Sequence, residues 1–167
     1  MKTEVPPLCQ LLKLPSVTQI GIVVPNLEET VTFYEERFFI GPFKWIADFQ
    51  KLGYEETYYK GKPENFNSTF AFSSLGNIEI EIIQPLSGKS IYQDFLLAGR
   101  RGLHHLGFDV YGDFDQRVTA YTEMGFGVLM SGRGPNRAFA YLGTEEIGGV
   151  IFELIQRGGP HKPIKQG

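Results

Sequence analysis

Four polar side chains interrupt otherwise apolar, strand-like runs. Gln19 opens Gln19-Ile-Gly-Ile-Val-Val24, and Glu81 sits inside Ile80-Glu-Ile-Ile-Gln84. His105 opens His105-Leu-Gly-Phe-Asp-Val110, and Glu153 sits inside Phe152-Glu-Leu-Ile-Gln156. An imidazole, two carboxylates and an amide oxygen suit a hard or borderline divalent cation, whose charge the carboxylates balance. Four protein ligands leave a coordination position for water or a substrate oxygen, the mark of a catalytic rather than a structural site. Taken singly, each residue has a plainer explanation. Strand glutamates commonly lie on a solvated sheet face, and an inward histidine commonly hydrogen-bonds within a core.

An internal repeat argues for the four acting together. Gly21 and Gly107 correspond at a separation of 86 residues, as do Val24 and Val110, so Gln19 and His105 are equivalent. Glu81 and Glu153 are equivalent in the closing strands, 72 residues apart. Strand alternation sets Gln19, Gly21 and Val23 on one face, opposite Ile20, Ile22 and Val24. The same parity separates His105 and Gly107 from Leu106, Phe108 and Val110. The purely apolar faces pack on helices, and the polar ones line a cavity between curved sheets. Two ligands from each copy then converge about a pseudo-twofold axis.

Each copy reads as βαβββ, which gives an α+β fold of two tandem modules forming a curved, partly closed mixed sheet around a metal cavity. In the first, Leu27, Val31, Tyr34 and Phe38 share one helical face, with Asn26 as N-cap and Glu28 and Glu29 favourably placed in the first turn. In the second, the helix runs from about Phe114 to Met124, capped by Asp113 and stopped at Gly125. Three strand-like runs follow each helix: about 43–49, 66–74 and 77–84, then 127–132, 137–142 and 149–156. The organisation is an N-terminal arm (1–16), a first module (17–86), a linker with a short helix near Ile91–Ala98 (87–101), a second module (102–157) and a flexible tail (158–167).

The offsets make the first copy about 14 residues longer. The surplus falls in Gln50–Asn65, a candidate lid over the binding face. Its Tyr54, Tyr58 and Tyr59 either cover an organic substrate or pack the loop onto the barrel. Arg133 and Arg137, around a hairpin-like turn, are given no site. Alternation points His104 away from His105, as a structural residue, and His161 in the tail has no role.

With 42% hydrophobic residues, 14% aromatics and a net charge of −3, the 167-residue chain has ample material for a core and no basic stripe for nucleic acid. A lone cysteine, Cys9, excludes an internal disulfide framework and a cysteine-rich zinc site. No apolar run is long enough to span a bilayer, so the expectation is a soluble cytoplasmic protein.

Paired βαβββ modules carrying these strings resemble the vicinal oxygen chelate superfamily, which includes glyoxalase I, methylmalonyl-CoA epimerase, extradiol dioxygenases and bleomycin- or fosfomycin-resistance proteins. The resemblance runs from about Val17 to Gln156. Gln84-Pro-Leu86 and Gly102-Leu-His-His-Leu-Gly-Phe-Asp-Val110 look most like methylmalonyl-CoA epimerase. That enzyme usually has His and Gln as its first two ligands, whereas Gln19 and Glu81 stand here. The set Gln19, Glu81, His105 and Glu153 matches the ligand types of zinc-type glyoxalase I. Gln19 in place of a first histidine disfavours dioxygenase chemistry.

The resemblance implies a divalent metal ion (cobalt, nickel, zinc, manganese or magnesium) and proton abstraction next to a carbonyl, by a metal-dependent epimerase, isomerase or glyoxalase-type lyase. Glu153 is the first choice for the base and Glu64 a second candidate catalytic carboxylate. The substrate is a small carbonyl compound such as a thioester or 2-oxo compound, and a homodimer is expected. The alternative is a binding protein that sequesters a small molecule without turning it over.

Overall fold

The computed structural model describes residues 8–158. The chain runs α1 (Leu8–Leu12), β1 (Gln19–Val23), α2 (Leu27–Phe38), β2 (Lys44–Ile46), a 3-10 turn (Phe49–Leu52), β3 (Glu56–Tyr59), β4 (Lys62–Pro63), β5 (Asn67–Leu75) and β6 (Ile78–Ser87). After α3 (Ile91–Leu97) come β7 (Gly102–Asp109), α4 (Phe114–Glu123), β8 (Val128–Gly134), β9 (Arg137–Leu142), α5 (Glu145–Gly148) and β10 (Ile151–Arg157). The tail beyond Gly158, with His161, lies outside the described residues.

Local chemistry explains the helix ends. Asn26 accepts the Glu29 amide at 3.0 Å, so α2 starts on a side-chain cap with two glutamates in its first turn. Asp113 does not cap α4; its carboxylate instead takes the Arg117 Nε–H at 2.8 Å, one turn on. Gly125 ends that helix at φ 96°, a conformation that favours glycine.

All ten strands join one mixed sheet in the order β2-β5-β6-β1-β7-β10-β9-β8-β3-β4, curled into a half-barrel. The order is itself twofold: β2-β5-β6-β1 meets β7-β10-β9-β8 at an antiparallel seam between β1 and β7. On either side of the seam the pairing is parallel, β1 with β6 and β7 with β10. The apolar convex faces are covered as the alternation requires. Ile80 and Ile82 pack beneath Leu27 and Val31 of α2, and Phe108 and Leu154 pack with Phe114 and Tyr121 of α4. The N-terminal arm contributes Leu12 to this second cluster, and Cys9 is exposed.

The extra residues of the first copy do more than form a loop. The 3-10 turn and the β3–β4 hairpin cross the open side of the sheet, and β3 pairs with β8, the edge of the other copy. Arg137 ties the crossing down by donating to the Leu52 carbonyl, and its guanidinium lies 5.6 Å from the Tyr54 ring centroid. Arg133 pairs with Asp115. No described helix is long and apolar enough to cross a membrane.

This contact leaves no room for a side chain at Gly134, whose added Cβ would stand 2.1 Å from the Gly53 carbonyl oxygen. Gly134→Ala is expected to lift the crossing segment off β8. A cost of about 1–3 kcal/mol for such overpacking, at roughly 2–4 °C per kcal/mol for a chain of this size, should appear as a lowered Tm. Hydrogen exchange should accelerate at the Glu55 and Lys60 amides, which donate to Arg133 and Leu129; unchanged exchange there would contradict the tie.

Candidate metal centre

The seam builds the site from two glycines. Gly21 on β1 has Glu81 of β6 on one side and His105 of β7 on the other. Gly107 on β7 has Gln19 on one side and Glu153 of β10 on the other. A Cβ at Gly21 would lie 1.8 Å from the His105 ring, and one at Gly107 would lie 2.9 Å from the Gln19 Cβ. The repeated glycines therefore give the ligand side chains room to lean over the seam toward one another.

They meet at one point. His105 Nε2 is 3.2 Å from Glu81 Oε2, 3.3 Å from Glu153 Oε2 and 3.3 Å from Gln19 Oε1. His105 is fully buried and the other three are 4–7% exposed. One imidazole nitrogen cannot satisfy three oxygens, and Glu81 Oε2 and Glu153 Oε2 have no hydrogen-bond partner. Ligands about 2.0–2.2 Å from a divalent ion sit roughly 2.8–3.6 Å apart when adjacent in tetrahedral or octahedral geometry. The donor set, its spacing and the two partnerless buried oxygens all fit a divalent cation. Glu81, His105 and Glu153 form a cluster able to hold one, and Gln19 adds its amide oxygen.

Burial pulls the His105 imidazole down, but the close carboxylates of Glu153, then Glu81, outweigh it and hold its pKa at about 9. Burial raises the Glu81 carboxyl, against the close charge of His105.

Strict alternation fails at His104. The β1–β7 register pairs Gly21 with His105 and Ile22 with Leu103, so His104 is the extra residue of a β-bulge. The bulge turns both imidazoles to the same side, with their Nδ1 atoms 2.9 Å apart. Burial, then the charge of His105, keeps His104 neutral, while a hydrogen bond to the Ile91 backbone pulls the other way. A neutral His104 with its proton toward Ile91 accepts from His105 Nδ1–H and leaves His105 Nε2 to face the ligand point. Sequence reasoning missed this because one inserted residue changes the parity without changing the composition.

An aromatic cluster adjoins the site: the Tyr141 ring lies 5.0 Å from that of His105. Phe49, Phe66, Phe70, Tyr92 and Phe139 are buried with Tyr141, and the Tyr92 and Tyr141 hydroxyls lie 2.7 Å apart. Tyr54 of the crossing segment stacks on Phe49 and meets Phe139 edge-on; burial, then the Glu153 charge, raises its phenol. Tyr59 donates to Asp94 at 2.7 Å, and Tyr58 is exposed. Glu64 does not join the ligand cluster. It lines a cavity of about 610 Å³ under the hairpin, together with Tyr54, Glu55 and Glu56.

A half-barrel of two βαβββ copies with ligands at their seam defines a family. The profile of the glyoxalase/bleomycin resistance protein/dioxygenase superfamily matches residues 18–142, and the chain belongs to that superfamily. Its members typically bind a divalent metal. The fold is similar to that of Streptomyces coelicolor methylmalonyl-CoA epimerase in complex with 2-nitronate-propionyl-CoA: TM-score 0.64, 19% identity, covering 90% of this chain and 100% of that one. Mycobacterium tuberculosis methylmalonyl-CoA epimerase is similar at TM-score 0.59 and 17% identity, over 87% and 89% of the two chains. A hypothetical protein from Bacillus halodurans C-125 is similar at TM-score 0.60 and 20% identity, over 89% and 98%. No curated protein sequence matches the chain significantly.

Two outcomes follow from the site's packing and charge. Gly21→Ala should drive a methyl group into the His105 ring and weaken zinc binding about 10-fold or more, measured by competition with a chromophoric chelator; unchanged affinity would refute the leaning geometry. In metal-free protein, the His105 and Glu81 contributions are full below their unfolded pKa values and fade as pH rises through the raised folded ones. The Tm should therefore fall between about pH 6.5 and 9, the ordinary and folded values for His105. Added zinc, taking the place of the proton, should flatten the profile; a metal-free Tm that rises across that window would be the wrong sign.

Proposed function

We propose that the chain is a metal-dependent enzyme that moves a proton next to a carbonyl, as an epimerase, an isomerase or a glyoxalase-type lyase. The observation that supports this best is the convergence of Gln19, Glu81, His105 and Glu153, with two buried carboxylate oxygens left partnerless. These four residues would hold the metal, which when bound supplies a Lewis acid for the oxyanion formed on the substrate carbonyl. Its identity is open among cobalt, nickel, zinc, manganese and magnesium.

The remaining steps fall to the chain. Glu153 accepts the α-proton at its carboxylate and returns it to the same carbon or the neighbouring one. Burial of the ligands excludes water that would otherwise quench the carbanion. Glu64 is the second carboxylate in this reading. It shares a cavity with Tyr54, whose phenol is raised by burial, then by the Glu153 charge. Movement of Tyr54 and the hairpin would open the way from that cavity to the ligands, in keeping with a lid role for Gln50–Asn65. The substrate class is a small carbonyl compound, a thioester or a 2-oxo compound, and the working form is a cytoplasmic homodimer.

A second reading is favoured by the filled cleft. Phe49, Tyr54 and Phe139 pack on one another beside the site, which suits a protein that closes around a small molecule without turning it over.

Elemental analysis after reconstitution with mixed divalent metals, followed by NMR of α-proton exchange in deuterated water, separates the readings. About one metal per chain is expected in the wild type, much less in His105→Ala and Glu153→Ala, with exchange at the α-carbon of an acyl thioester or 2-oxo acid. A wild type that takes up no metal would overturn the enzyme reading. Metal uptake without exchange, alongside saturable binding of the same compounds, would favour sequestration.

A further inference from the structure

A glutamine is an ambiguous metal ligand. One end of its amide is an acceptor that suits a cation, the other is a donor that repels it, and a half-turn about the last side-chain bond exchanges them. In this site the choice is made by groups outside the ligand set. Gln19 Nε2 donates to Glu79 Oε1 at 2.8 Å, and an ionised carboxylate can only accept, so the reversed amide would set oxygen against oxygen. Glu79 is held in turn: Arg157 Nη2 donates to the same oxygen at 2.8 Å, and Arg157 Nε donates to Asp109 Oδ1 at 2.9 Å. The four residues come from four consecutive strands: Glu79 from β6, Gln19 from β1, Asp109 from β7 and Arg157 from β10. Gln19 and Glu79 are register partners, which brings the carboxylate directly beside the amide.

We propose that Glu79, clamped by Arg157 and Asp109, is the positioning residue that fixes the Gln19 amide with its oxygen toward the metal. The inference rests on the metal reading of the site. It assigns the relay to orientation rather than to stability. The Arg157 and Glu79 side chains are 40% and 29% exposed, so solvent screening reduces what their pairing adds to folding. The other uncharged ligand is served in parallel, since His104 sets the His105 tautomer across the bulge.

The test is a double-mutant cycle on the full chain, read by cobalt(II) affinity and by the visible spectrum of the bound cobalt(II). Glu79→Ala should weaken binding about 10–100-fold, as loss of an outer partner does, and shift the spectrum toward that of Gln19→Ala. Glu79→Gln keeps an oxygen to accept from Gln19 and should recover most of the affinity, which a general loss of folding would not allow. If Glu79 acts through Gln19, the double variant binds no more weakly than Gln19→Ala alone, within about a factor of two. Additive losses, or wild-type affinity in Glu79→Ala while Gln19→Ala is impaired, would overturn this assignment and leave the metal reading intact. A wild type that binds no cobalt(II) would remove both.

Discussion

Two carboxylates lie against one imidazole almost out of reach of water, and buried charge of that kind is costly unless something neutralises it. In the absence of a cation, protons answer it: His105 holds one beyond its ordinary range, and burial raises the Glu81 carboxyl as well. A divalent ion is a better answer to the same problem, because it satisfies every oxygen at once. The surrounding structure can be understood as what is needed to keep this charged point dry and its ligands aimed. Glycines open the space over the seam, a bulge supplies a second imidazole, and an aromatic layer excludes solvent.

The pseudo-twofold axis explains why the solution is economical in sequence. One module places Gln19 on its first strand and a carboxylate on its last, and repetition places His105 and the second carboxylate. The symmetry is broken where specificity would have to be set. The first copy carries the segment that crosses to the far edge, and that segment places Tyr54 and Glu64 on one cavity. The fold thus separates a symmetric geometry at the seam from an asymmetric segment beside it.

Much of this was legible in the sequence. Alternation in β1 and β10 gives the inward faces, and the 86- and 72-residue offsets pair the four side chains that converge at the seam. Gly21 and Gly107 were visible as markers of the repeat, although their role as room for His105 and Gln19 depends on cross-strand register. Three features were out of reach for the same reason. The bulge at His104, the pairing of β3 with β8 and the Glu79–Arg157–Asp109 relay are all contacts between distant segments, which periodicity does not encode. Arg137, left without a role by its turn-like context, owes its contact with Leu52 to that same crossing.

The crossing hairpin also bears on how the chain is made. Synthesis delivers the first copy whole before the second, so β1 emerges with its seam edge bare and β3 with no strand to join. Both stay open until β7 and then β8 arrive, about 80 residues behind β1 and 70 behind β3. Unpaired edges are the usual route to sticking between nascent chains. Here the exposed hairpin is short and carries Lys60, Lys62 and Pro63, residue types that discourage a stranger from pairing with it. The strap that completes the cleft is thus also the element most in need of protection while the ribosome is still at work.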